Sequence, residues 1–360
     1  YKLAAPEMVK RVFLIGKEQL LIFLTTLLVT LKIGLISGIV AGLIITFIIH
    51  VIANNSLGLF IKNIVKPNVL MYKEENGNYF ISVKHFCSFL NFNKLKDKLS
   101  VIPEQNDVII DFSLCEFVDH SVMENINDYQ ELFYKKGGNI GVIGLEILGT
   151  KSEHPFALRR LLPFQNIIPN NNTKRQNNLE QVAYDFGLSF TPLRRTNNAF
   201  LENFIYFKTK KIEHVFNQLS AKESPCHLFD VTFSEGEFIA KEVIRSTMLH
   251  IKTSSNVPVF TLDREGLLER LYALTGYKDI DIKNHADFSK RFYLRGENEN
   301  AIRSLFNDEL VLFFESNAYY HIESSKDGLL VFSKERMASI KEIKALLDFG
   351  LRLNAIINKV

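Results

Sequence analysis

The chain has 360 residues, 47% hydrophobic and 23% charged, a composition that excludes collagen-like, disulfide-dense and wholly disordered proteins and leaves room for about two domains. Three cysteines (Cys87, Cys115, Cys226), none in a C-x-x-C pair, argue against a disulfide framework or a cysteine-based zinc site and fit a reducing compartment. A net charge of +3 is too small for a nucleic-acid binder, so no nucleic-acid partner is expected.

The charge is segregated. Residues 1–66 carry seven Lys/Arg (Lys2, Lys10, Arg11, Lys17, Lys32, Lys62, Lys66) against Glu7 and Glu18, a balance of +5, and the remainder sums to −2. After a basic lead-in over 1–19, Leu20 to Ala53 reads LLIFLTTLLVTLKIGLISGIVAGLIITFIIHVIA, with only Lys32 and His50 able to carry charge, which is the pattern of a membrane segment. One straight helix of this length would reach about 51 Å against a hydrocarbon core of about 30 Å. The expectation is therefore a hairpin broken near residues 32–34, with a short arm Leu20 to Leu31 and a full-length arm Ile33 to Ala53.

A hairpin puts both basic flanks, Lys10, Arg11 and Lys17 before it and Lys62 and Lys66 after it, on the cytoplasmic side. Lys32 then sits at the far interface, snorkelling, or in an ion path. Gly34, Gly38 and Gly42, spaced by four, lay a groove along one helix face for close helix packing. A signal peptide is the competing reading of the basic start, but the apolar run does not stop and no A-x-A site follows the first arm. The chain starts at Tyr1 and reads as the end of a longer protein.

Next comes an alternating segment over 67–165. Val69 to Tyr72 and Tyr79 to Val83 are β-like around the turn Glu75-Asn76-Gly77-Asn78. Phe89 to Val101 reads as an amphipathic helix, Asp107 to Phe112 as a buried strand, Ser121 to Lys136 as a helix stopped by Gly137-Gly138, and Asn139 to Gly144 as a strand. The order β-β-α-β-α-β implies a small α/β sheet with helices on one face. HPFALRRLLPF from His154 suggests a short helix with Arg159 and Arg160 on a solvated face, or against anionic lipid.

The run NYFISVKHFCSFLNFNKLKDKL with DVIIDFSLCEFVDHSVMENINDYQELFYKKGGNIGVIGL resembles a STAS domain, shared by anti-sigma-factor antagonists and the tails of SulP-type anion transporters. LLIFLTTLLVTLKIGLISGIVAGLII is similar to the last two membrane helices of SulP transporters. The two resemblances stand in the SulP order and cover roughly residues 1–165. Lys32-Ile33-Gly34 departs from the family's common Thr-Asp ahead of Leu. The resemblance implies the end of a sulfate or bicarbonate transporter in a plasma membrane, with residues 54–360 cytoplasmic and the rest of the membrane core as partner. It also implies a homodimer. Substrate ligands would lie in a transport core absent from this chain. Ser121 matches the serine phosphorylated in anti-sigma-factor antagonists, where a phosphate would meet a helix N-terminus. The alternative is that Asp119 or Ser121 is a helix N-cap, and Val122 replaces the switch proteins' glycine.

Pro169 to Asn178, with five asparagines, reads as a linker within 166–184. Residues 185–360 read as an α+β accessory domain of unknown partner. Strands are expected at Phe204–Lys208, His227–Phe233, within Glu237–Ile251, at Val257–Leu262, Lys290–Leu294, Tyr319–Glu323 and Leu329–Phe332. Helices are expected at Glu265–Leu274, Asn298–Glu315 and Ala338–Ile357. Its histidines (His214, His227, His250, His285, His321) lack metal-site spacing, Cys226-His227 lacks companions, and no G-x-S-x-G or phosphate-loop motif occurs. Arg295-Gly296-Glu297 with Arg303 is either an anion site or a turn beside exposed helix charges. No enzyme activity, cofactor or metal is expected. Three readings follow: the end of a SulP-type transporter, a membrane-tethered STAS regulator, and a tethered enzyme with a site in 185–360.

Overall fold

The structure is a computed structural model describing residues 6–53, 61, 68–161, 172–196, 198–236, 242–253, 257–264, 279–282 and 285–358. It divides into two compact units, Tyr1–Arg175 and Gln176–Val360. The expected helix Glu265–Leu274, the basic flank at Lys62 and Lys66, and the asparagine-rich stretch up to residue 171 lie outside the described residues.

Unit 1 begins with three helices, α1 (Pro6–Ile15), α2 (Lys17–Lys32) and α3 (Leu35–Ala53). The chain reverses between α2 and α3 because Gly34 takes φ +136°, a region costly for residues with a Cβ. The Ile33 and Gly34 N–H groups both close onto the Val29 carbonyl (2.9 and 3.4 Å), satisfying the end of α2. Thr30 faces Gly38 and Thr26 faces Gly42, so α2 and α3 pack antiparallel, and a Cβ at either glycine would collide with the opposite threonine side chain. The Thr26 hydroxyl donates to the Ile22 carbonyl (2.8 Å), so this polar group is satisfied within its own helix.

The α/β domain of unit 1 carries β1 (Val69–Lys73), β2 (Tyr79–Cys87), α4 (Phe92–Ser100), β3 (Asp107–Val118), α5 (His120–Lys135), β4 (Asn139–Ile143) and β5 (Arg159–Arg160). Strand order is β1-β2-β3-β4, with β5 on β3. The β1–β2 and β3–β5 pairs are antiparallel, and β2–β3 and β3–β4 are parallel. Leu95 and Leu99 of α4 and Val122, Ile126 and Phe133 of α5 bury against Ile81, Val83, Val108 and Ile110, the amphipathic stripe each helix must hide.

Two local expectations for this domain change. Helix α4 starts at Phe92, because the Asn91 side chain accepts the Ser88 N–H (2.8 Å) and holds residues 88–91 in a turn. Residues 154–161, the described part of the stretch from His154, form no helix. Arg160 exchanges both backbone hydrogen bonds with Gly149 (2.8 and 2.9 Å), and the Leu161 N–H reaches the Glu116 carbonyl (3.1 Å). A sheet edge offers these groups more than an isolated helical turn could, and Arg159 is buried rather than solvated.

Unit 2 is an eight-stranded, wholly antiparallel sheet in the order β11-β10-β12-β13-β9-β8-β7-β6. Its strands are β6 (Ser189–Thr191), β7 (Lys211–Ser220), β8 (Cys226–Glu235), β9 (Glu242–Ile251), β10 (Phe260–Asp263), β11 (Tyr293–Gly296), β12 (His321–Ser325) and β13 (Gly328–Phe332). Helices α6 (Lys174–Asp185), α7 (Ala286–Arg291), α8 (Glu299–Leu305), α9 (Asp308–Ser316) and α10 (Ile340–Ile357) bury apolar residues in one large cluster with Leu228, Leu249, Leu262 and Val331. A separate cluster joins Leu201 and Phe204–Phe207 to Phe229, Phe233, Leu330 and Phe332. Alternate residues of β13 thus enter different cores, as the pleat requires.

Several boundaries differ from the sequence reading here too. The expected linker gives way at Lys174 to α6, whose Leu179, Val182 and Ala183 are core residues; the asparagine count hid a helical apolar spacing. Residues 205–207 are a 3₁₀ turn rather than a strand. The expected helix 298–315 is two helices, because Asn307 leaves helical geometry and its side chain caps the Leu310 N–H (3.0 Å). Lys290 and Arg291 belong to the last turn of α7, and β11 begins only at Tyr293.

Candidate functional site

The end of α3 and the start of α5 meet at one buried carboxylate. Asp119 is the N-cap of α5: Oδ1 accepts the Val122 N–H (2.9 Å) and Oδ2 accepts the Phe89 N–H (2.8 Å), which ties the turn after β2 to the helix start. His50, in the last turn of α3, brings Nε2 to 3.8 Å from Asp119 Oδ2, with the two side chains 3% and 2% exposed. Its ring packs against Phe89 and Phe117, at centroid distances of 5.8 and 5.1 Å. Next to it Val51 lies on the Phe86–Phe117 pair, with Leu90 and Leu158. Burial pushes Asp119 up to about 6, against the opposing pull of the Val122 and Phe89 N–H groups, His120 and the Ser121 N–H.

Ser121 lies in the first turn of α5, half-buried, and does not cap the helix. Gly38 and Gly42 pack against α2, whereas a Cβ on Gly34 would meet nothing within 4 Å, so Gly34 serves the turn and the other two serve the interface. The structure therefore brings Asp119 to His50, a pairing the sequence did not suggest. Helix α3 is the one described helix long and apolar enough to cross a membrane by length and composition.

Unit 2 holds a second buried ionisable group of a different kind. On one face of the β10–β12 pair, Asp263 Oδ2 lies 3.6 Å from His321 Nδ1, and Glu323 Oε2 lies 3.9 Å from His321 Nε2. All three are buried. Burial alone would depress His321, but the flanking Asp263 and Glu323 carboxylates hold it above its ordinary value. Burial would likewise raise Asp263, but His321, the Tyr319 hydroxyl and the Arg264 N–H hold it below. Glu323 also accepts the N–H groups of Ile205 and Tyr206, pinning the 3₁₀ turn to the sheet. The sequence signal was the alternation His321-Ile322-Glu323, which places two ionisable groups on one strand face.

With both imidazole nitrogens turned to carboxylates, His321 is poised to carry charge rather than to act as a base. Among the described residues no group of three or more His, Cys, Asp and Glu side chains is arranged to hold a metal ion. His227 and His250 are cross-strand neighbours on β8 and β9, with Phe200 against both rings. Burial pushes the thiols of Cys87, Cys115 and Cys226 up, which makes them poor nucleophiles. Arg295 pairs in register with Thr261 on β10, and Arg303 lies on α8 against Glu299 (2.7 Å) and the Asp281 carbonyl.

No family model matches the chain, and no curated protein matches it. Among solved structures, the mycobacterial trehalose monomycolate transport factor A, TtfA, is similar at 11% identity and TM-score 0.36, covering 52% of this chain and 96% of that one. A STAS domain of an antisigma-factor antagonist from Rhodobacter sphaeroides matches a smaller part at 16% identity and TM-score 0.18, covering 21% of this chain and 84% of that one.

Proposed function

We propose that the chain supplies a membrane-embedded helix pair, α2 and α3, and a docked STAS-type domain to a secondary transporter for inorganic anions, sulfate or bicarbonate. The α/β domain acts as regulator and scaffold on the cytoplasmic side of the plasma membrane, and unit 2 is a cytoplasmic accessory domain. Helix α3 has 19 residues, about 29 Å of helix against a hydrocarbon core of about 30 Å. Its side chains Leu35, Ile36, Ile39, Leu43 and Ile52 are exposed, the surface an apolar solvent would cover.

The observation that carries this reading is the seating of the last turn of α3 in the α/β domain, through His50 on Asp119 and Val51 on Phe86 and Phe117. A helix end built into a domain core moves with that domain, because packed interiors transmit displacement rather than absorb it. That is the mechanical requirement for a domain that gates or supports a membrane path. Ser121, at the start of the same helix α5, is a proposed phosphoacceptor, where added charge would fall beside the joint.

The test is anion uptake by the full-length gene product in liposomes. Uptake of sulfate or bicarbonate above protein-free vesicles supports transport. Failure with every inorganic anion, in protein that resists carbonate extraction, removes transport and leaves a membrane-tethered regulator. Release into the soluble fraction removes both.

A further inference from the structure

One carboxylate holds three segments of unit 1. Asp119 caps α5 through Val122, fixes the turn after β2 through Phe89, and faces the last turn of α3 through His50. The groups around it are few. Helix α3 presents His50; β2 presents the Cys87 thiol, whose residue's carbonyl takes the Asp119 N–H (3.1 Å); α5 presents His120. The turn 88–91 contributes Ser88, Phe89, Leu90 and Asn91, which do not titrate. On β5, Arg159 stands in register with Val118 and has Glu146 as its charged neighbour. Among the described residues, then, the groups that favour the Asp119 carboxylate are the Val122, Phe89 and Ser121 N–H groups and His120, with no lysine or arginine among them.

We propose that Asp119 is a protonation-dependent latch between α3 and the α/β domain, closed on His50 as a carboxylate and released as a carboxylic acid. The inference deepens the reading of α3 as a membrane helix carrying this domain, and rests on it. As a carboxylate, Asp119 accepts the Phe89 and Val122 N–H groups and stands 3.8 Å from His50 Nε2. Taking up one proton turns an acceptor oxygen into an O–H donor. The protonated oxygen is a weaker acceptor for the N–H group it served, and the three-way junction loosens where Phe89 and Phe117 clasp the imidazole. Burial places the change near pH 6, within reach of a modest acidification.

The chain contains no tryptophan, so Leu90→Trp makes a single reporter at the joint. The experiment follows its emission in the full chain, reconstituted in lipid nanodiscs, from about pH 8 to about pH 5. A transition with a midpoint near pH 6, abolished in Asp119→Asn and retained in His120→Gln, is the expected result. Asn keeps a side-chain acceptor for the cap, and amide protection of α5 checks that the domain stays folded. His50→Gln is the second variant and should remove most of the amplitude while leaving the fold intact. A flat reporter, or a transition unchanged by both Asp119→Asn and His50→Gln, overturns the latch. Carbonate extraction and anion uptake on the same protein keep failure of the membrane or transport reading distinct from failure of the latch.

Discussion

Asp263 and His321, on neighbouring strands of unit 2, face each other across 3.6 Å with both side chains buried, and Glu323 closes the other side of the imidazole. Two carboxylates and one imidazolium leave a local balance of −1, which the Tyr319 hydroxyl on Asp263 and the Ile205 and Tyr206 N–H groups on Glu323 offset. Removing the cation leaves two carboxylates close together in a dry site. His321→Phe should therefore cost about 3–5 kcal/mol, read as lost amide protection in β10 and β12 of the full chain. A loss below about 1 kcal/mol would mean that solvent already screens the site.

The same residues set a pH window. His321 is raised in the fold, so its contribution is fully present below its unfolded value of about 6.5 and is lost as pH climbs through the folded value. Asp263 is depressed, so its contribution is present above about 3.9 and is lost as pH falls. Unit 2 should be most stable in mildly acidic solution and should weaken on the alkaline side. Denaturant melts monitored by hydrogen exchange in unit 2 check this; a stability flat into alkaline solution for wild type would sink it.

What the sequence made legible is tied to local signals. Lys32 and Gly34 interrupt an otherwise unbroken apolar run, and Gly137 follows an amphipathic stretch, so the turn after α2 and the end of α5 could be read directly. Features that depend on distant residues could not. Nothing near His50 points to Asp119, and nothing near Asp263 points to His321. Composition misled where it was averaged: asparagines around 172–178 suggested a linker, although Leu179, Val182 and Ala183 already had the spacing of a buried helix face.

Gly38 and Gly42 face Thr30 and Thr26 with no room for a Cβ. Gly38→Leu should drive α2 and α3 apart, whereas Gly34→Ala strains only the turn, where a left-handed residue other than glycine costs about 1 kcal/mol. Paired cysteines introduced as Thr26→Cys and Gly42→Cys in the full chain should cross-link, and adding Gly38→Leu should suppress the bond. Equal cross-linking with and without Gly38→Leu would show that the seam tolerates side chains.

Asn217 combines a left-handed backbone (φ +49°) with complete burial. Its amide nitrogen donates to Asp230 Oδ2 (2.8 Å), and its oxygen accepts from Gln176 of α6 (2.9 Å). Asp230 also takes the Thr247 hydroxyl, whose oxygen accepts the Ala338 N–H ahead of α10 (2.8 Å). Asn217→Ala should lose both side-chain bonds and add backbone strain, about 2–4 kcal/mol in all. Asn217→Gly keeps the backbone and should recover the strain share. If the two variants are equally destabilised, the left-handed geometry carries no cost.

Helix α10 starts with a reciprocal cap: the Ser339 hydroxyl accepts the Glu342 N–H, and the Glu342 carboxylate accepts the Ser339 N–H (2.8 Å). Arg336 adds a two-point pair to the same carboxylate (2.7 and 3.1 Å). Burial would raise Glu342, but the Arg336 guanidinium and the Ser339 groups hold it below its ordinary value. With the folded value depressed, this stability is present above about 4.3 and disappears as pH falls through the folded value. Ser339→Ala should cost about 1 kcal/mol at neutral pH. Glu342→Gln keeps a capping side chain but removes the charge, so it should lose the acid sensitivity of the first turn while retaining most of the cap. Amide protection of residues 340–343, compared in acid and at neutral pH, separates the two. An acid response in Glu342→Gln equal to that of wild type would assign the sensitivity to another group.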